Sequence, residues 1–148
     1  MKREQRYPET STFHLHNANP KGRITGDCRI RALTEVTGIP YNQIVMDLAK
    51  LQIETGYDQT AHQGISILME RYGWTKHKQP RKPDNTKYTA KEFCKVIQRG
   101  VPKDGIVIRD KIFCNCGGNH ETAIINGKVW DIWNCTEGCI GNYWTKEG

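Results

Sequence analysis

Apolar positions recur along this chain with two different periods, and the change from one to the other divides it. Ile30, Leu33 and Val36 keep helical spacing until Gly38 and Pro40 end the run. Tyr41, Ile44, Val45, Leu48 and Leu51 continue it in a second helix that runs to about Glu54 and Gly56. Thr60 with Gln63 reads as a capping box ahead of Ile65, Leu68, Met69 and Tyr72. Thr89 with Glu92 reads as another, ahead of Phe93, Cys94 and Ile97. Cys94 falls on the apolar face, where a small core residue is the expected role.

After Gly105 the pattern becomes that of strands. Ile106-Val107-Ile108 is a β-branched run that predicts a buried strand. Glu121 to Ile125, Asn126-Gly127 and Lys128 to Trp133 predict a hairpin with a type I′ turn, and Ile140 to Trp144 a closing strand. Helices come first and strands last. That order predicts an α+β domain, with N-terminal helices packed on a C-terminal antiparallel sheet. Residues 1–18 show no periodicity and read as an arm or lead-in. Residues 19–148 read as one domain of ordinary size.

Charge and composition narrow the setting. No apolar run nears the roughly 20 residues that cross a bilayer, and the charged start has no apolar stretch behind it. A reducing cytoplasm is therefore expected, with the six cysteines held as thiols or metal ligands. The net charge of +6 permits an acidic partner such as nucleic acid. Its excess lies between Arg71 and Lys91, a stretch broken by Pro80 and Pro83 in which Trp74 is the only large aromatic. A solvated connector is favoured there over a nucleic-acid surface.

One cysteine stands where chemistry is favoured. Cys28 follows Gly26-Asp27 and opens a helical pattern, where the helix dipole and unpaired N–H groups stabilise a thiolate. The same N–H groups can hold a developing oxyanion. The hairpin supplies a partner. A two-residue turn at Asn126-Gly127 puts His120, Thr122, Ile124, Val129, Asp131 and Trp133 on one face, since side chains alternate with period two. His120 then faces Trp133, with Asp131 its diagonal neighbour at roughly 5 to 8 Å. A carboxylate there can fix the imidazole tautomer that a general base needs. Asn134, the other candidate for that role, falls on the opposite face.

The stretch from Asn19 through Cys28 to Leu33 resembles the opening of small papain-like cysteine peptidases of phages and prophages. Thr89 to Cys94 resembles the helix before their sheet, His120 to Trp133 their histidine hairpin, and Tyr143-Trp144 their closing strand. The likeness spans about residues 19 to 145 in one order. It implies a papain-like fold with the Cys helix packed on the sheet that carries His and Asp, and it implies no substrate. That pattern also places a glutamine shortly before the cysteine to complete the oxyanion hole. Gly22 stands there instead, which leaves Asn19 as the candidate.

Four further cysteines flank the hairpin. Extending its register sets Cys114 opposite Cys139 and Cys116 diagonal to Cys135, so all four would meet at its open end. A structural zinc and reduced surface thiols are equal alternatives there. The reading that follows is a thiol hydrolase acting on a protein or peptide with a Cys28–His120–Asp131 triad and no catalytic cofactor. If it is phage-encoded, it would work in the host bacterial cytoplasm. Acyl transfer on the same triad and a zinc-clamped basic binding protein, without turnover, are its rivals.

Overall fold

The computed structural model describes residues 1–147, and in it a mixed six-stranded sheet carries helices on both faces. In chain order the elements are α1 (Arg3–Arg6), β1 (Phe13–Leu15), α2 (Cys28–Thr37), α3 (Tyr41–Thr55), α4 (His62–Arg71), β2 (Thr75–His77), α5 (Ala90–Arg99), β3 (Lys111–Cys116), β4 (Glu121–Ile125), β5 (Lys128–Asp131) and β6 (Ile140–Thr145). The strand order is β1-β5-β4-β3-β6-β2.

Period-two alternation along the central strands builds two cores. Ile112, Cys114, Ile124, Val129 and Tyr143 join Phe13 and the Phe93, Cys94 and Ile97 face of α5. Their neighbours Phe113, Ala123 and Trp144 join Leu33, Ile44, Leu51, Leu68 and Trp74 from the α2, α3 and α4 side. The domain is α+β, with three long helices on one face and α5 covering the other. Trp74, from the basic stretch, is a core residue and only 7% exposed.

Local chemistry accounts for most element ends. Gly38 and Gly56 close α2 and α3 in the left-handed region, at φ 73° and 80°. Thr89 Oγ1 accepts the Glu92 N–H while Glu92 accepts that of Thr89, which is the capping box the sequence predicts. Asn126 and Gly127 take φ 49° and 79°, and the pairs Ile125–Lys128, Ile124–Val129 and Ala123–Trp130 carry the register read from the sequence.

Several expectations need correction. The sheet is mixed, because β1 pairs in parallel with β5: Phe13 lies beside Val129 and Leu15 beside Asp131. Part of the lead-in is thus sheet. Residues 106–108 form no strand. The segment leaves a turn at Asp104-Gly105, and Ile106 seals the core while the Val107 N–H donates to the Tyr143 hydroxyl at 2.9 Å. Its apolar character reflects that contact, and the strand begins at Lys111. The Thr60 cap also fails: its hydroxyl donates to Asp58 at 2.6 Å, and α4 starts after Ala61 without a side-chain cap. Within the basic stretch, β2 adds an edge to β6.

Candidate active site

Two structural decisions bring the site together. The first is the start of α2. Asp27 precedes Cys28 at the N-cap position, yet its carboxylate turns away from the helix N–H groups. It accepts instead from Arg31 Nε at 2.8 Å, Tyr41 Oη at 2.5 Å and Asn19 Nδ2 at 2.9 Å. The N–H groups of the first turn of α2 have no intrahelical partner and no side-chain cap, the arrangement an oxyanion requires. The second is the hairpin. Its tight turn fixes the open end, where His120 just precedes β4 and Asp131 ends β5.

Across that end His120 Nε2 lies 2.6 Å from Asp131 Oδ2, and the imidazole is close enough to the Cys28 thiol to lower its pKa. Trp133 leans on the ring, with centroids 5.0 Å apart. Asn134 bonds Thr136 at 2.6 Å and leaves the imidazole to Asp131. The three sequence-derived residues therefore meet.

Their electrostatics reinforce one another. Burial alone would lower the proton affinity of His120, but hydrogen bonds to Asp131, Cys135 and Cys28 outweigh it and raise the pKa to about 11. Burial also opposes ionisation of Cys28. The His120 hydrogen bond, the Glu121 backbone N–H and the imidazolium charge outweigh burial here too, and hold the thiol below its ordinary value. Both shifts favour a thiolate–imidazolium pair. Cys94, fully buried with no such partner, is pushed up to about 12.

Several participants gave no sequence signal. Arg31, 6% exposed, bridges Asp27 to Asp131, where its Nη1 lies 3.2 Å from Oδ1. Thr122 Oγ1 donates to Asp131 Oδ2 at 2.7 Å. Arg29 grips Glu121 with two hydrogen bonds of 2.6 and 2.8 Å, and donates to the carbonyls of Gln59 and Ala61. It thus ties the loop before α4 to the strand that follows His120. The spacing of Arg31 four residues after Asp27 was the one available hint, since that places both on one helix face.

Asn19, the oxyanion candidate, is engaged with Asp27 and Lys21. Its amide donates to Asp27, and its Oδ1 accepts the Lys21 N–H at 2.9 Å. Gln59 and Asn119, distant in sequence, instead line a cleft of about 390 Å³ together with Cys28.

The four flanking thiols do not converge. The β4–β5 register does not extend to them, because the chain reverses at residues 117–119 and β3 returns as the partner of β4. Cys114 therefore pairs with Thr122 and Tyr143, buried in the core, while Cys139 is exposed beside Gly117. Cys116 Sγ donates to the Cys135 carbonyl at 3.2 Å. Among the described residues, the one group of three such ligand atoms within 4.8 Å is His120, Asp131 and Cys135, a donor set that could hold a metal ion.

No helix among the described residues is long and apolar enough to cross a membrane. No protein-family model, no curated protein and no solved structure matches this chain.

Proposed function

We propose that this protein is a thiol-dependent hydrolase of amide, ester or isopeptide-type bonds, built on a papain-like arrangement. Cys28 is the nucleophile, His120 the proton carrier and Asp131 the carboxylate that orients it. One observation carries the reading: His120 is hydrogen-bonded to the buried Asp131 carboxylate at 2.6 Å and stands beside the Cys28 thiol, whose pKa it lowers. The likeness of residues 19–145 to phage and prophage papain-like peptidases supports it and suggests a protein or peptide substrate in a host cytoplasm.

The resting thiolate attacks the carbonyl carbon, and the resulting oxyanion faces the N–H groups that open α2. As the tetrahedral species collapses, the His120 imidazolium gives its proton to the departing nitrogen or oxygen, which leaves a thioester on Cys28. Water then attacks that thioester and loses a proton to the neutral imidazole. Release of the acid restores the thiolate and imidazolium. An amine in place of water would make the same triad an acyl transferase. A binding protein without turnover is the competing reading, favoured by the engagement of Asn19 with Asp27.

Iodoacetamide labelling as a function of pH tests the nucleophile. The Cys28 pKa is depressed, so labelling should persist on the acid side of the ordinary thiol value of 9.0 and fall only as pH drops through the lowered one. Cys94 should stay silent throughout. His120→Ala should carry the Cys28 profile back to more alkaline pH. Coincident profiles for the two proteins would refute an activated thiol. Cys28→Ala, tested for its biological effect against wild type, separates enzyme from binder: retained effect would leave only the scaffold.

A further inference from the structure

The cleft that holds Cys28 does not end there. It is lined by Arg29, Gln59, His62, Asn119 and Glu121, and His62 and Glu121 also line a second cleft of about 330 Å³. Lys76, Ser66, Asn142 and Trp144 extend that second cleft between α4, β2 and β6. The two clefts therefore adjoin at His62 and Glu121, one holding the thiol and the other Lys76, and together they form a groove.

Its charges are one-sided. Glu121 is the only carboxylate that lines either part, its side chain is 2% exposed, and both its oxygens are taken by Arg29. That pair cancels. The exposed Lys76 ammonium lies 5.7 Å from the centroid of the buried Trp144 ring, and among the described residues no carboxylate pairs with it. Apart from His62, Ile65, Trp144 and glycines, the remaining lining is neutral and polar, with the hydroxyl of Ser66 and the amides of Gln59, Asn119 and Asn142 available as donors. A cationic groove beside an apolar wall concentrates field on whatever enters it, and such a field selects anions.

We propose that this groove binds a substrate segment carrying an acidic side chain near the scissile bond, with Lys76 as the residue that selects it. The proposal rests on Cys28 being the nucleophile. It fixes the substrate class as an acidic peptide, and gives the basic stretch of the sequence one specific task.

Chloroacetyl peptides that alkylate Cys28 test this without knowledge of the natural substrate. Glu, Gln or Lys is placed one, two or three residues from the electrophile, and the rate of Cys28 modification is followed by mass spectrometry. At its best position Glu should react roughly threefold faster than Gln, the size of one exposed ion pair, and Lys should be slowest. Added salt should flatten the series. Lys76→Met should erase the order and Lys76→Glu should reverse it. Chloroacetamide itself, too small to reach Lys76 from Cys28, should modify all three proteins equally and so report that Cys28 is intact. Equal rates for the Glu and Lys peptides, or an order that Lys76→Glu leaves unmoved, would overturn the groove assignment alone. A Cys28 no more reactive than Cys94 toward chloroacetamide would overturn the nucleophile and the groove together.

Discussion

Asp131 is buried with donors around both oxygens: His120 Nε2 and Thr122 Oγ1 on Oδ2, Arg31 Nη1 and the Ile132 N–H on Oδ1. Charges alternate in space from Asp27 to Arg31, Asp131, His120 and Cys28, each group facing the opposite sign. In such a chain each buried charge has an opposite partner that offsets the cost of burying it. Its cost appears when a member is removed. Arg31→Met should lower stability by about 3 kcal/mol in urea unfolding, because it strands two buried carboxylates. Arg31→Lys should recover part of that loss, since an ammonium cannot reproduce the two-pronged contact. For the same reason Asp131→Ala leaves the buried Arg31 with Asp27 as its one remaining carboxylate and confounds folding with catalysis. Asp131→Asn is the cleaner probe. It should reduce turnover far more than substrate binding, because orientation matters most in the transition state. Asn134→Ala should be mild by comparison.

At the scale of elements, the hairpin shows why this site was legible. Type I′ geometry demands positive φ at both turn residues, and Asn-Gly is the pair that supplies it most easily. Once the turn is fixed, period two fixes the face, and His120 and Asp131 follow. Gly127 is constrained further by its surroundings: a Cβ there would lie 2.5 Å from Gln98 Cγ and 3.2 Å from the Cys94 carbonyl. Gly127→Ala should therefore cost about 1–3 kcal/mol in denaturant unfolding, and a neutral result would mean α5 can shift away from the turn. The same rule misled where it was extended too far. It sets Cys114 opposite Cys139 because it carries the β4–β5 register past Gly117-Gly118-Asn119, a turn signal after which β3 pairs with β4 instead. The strands β1 and β2, three residues each, were hidden, since their ladders depend on partners far along the chain. Arg31 was hidden for another reason. A charged residue on a helix is normally solvated, and only the tertiary position of Asp131 buries it.

At the scale of the molecule, residues 1–18 link stability to the site. Phe13 is fully buried against α5 and the central strands, and the Val129 N–H donates to the Thr12 carbonyl at 2.8 Å. The His16 N–H donates to the backbone carbonyl of Asp131 itself at 2.9 Å, and Arg3 reaches the carbonyl of Ile132. An edge strand thus holds the end of β5 that carries the orienting carboxylate. A peripheral arm could be removed without effect, whereas a strand in this position cannot. Deleting residues 1–18 should lower the melting temperature and weaken the imidazole–carboxylate contact. In protein that stays folded, Cys28 alkylation should then lose its acid-side reactivity. Phe13→Ala isolates the packing part of that effect and should cost about 3–5 kcal/mol, because a core aromatic leaves a cavity its rigid neighbours fill poorly. Removing residues 1–8 alone takes α1 and the Arg3 contact but leaves β1, and should be the mildest of the three. The order is the test: thermal unfolding and the alkylation profile should deteriorate together from the short deletion to the long one. Retention of both properties by the long deletion would show that β5 holds Asp131 in place without its parallel neighbour.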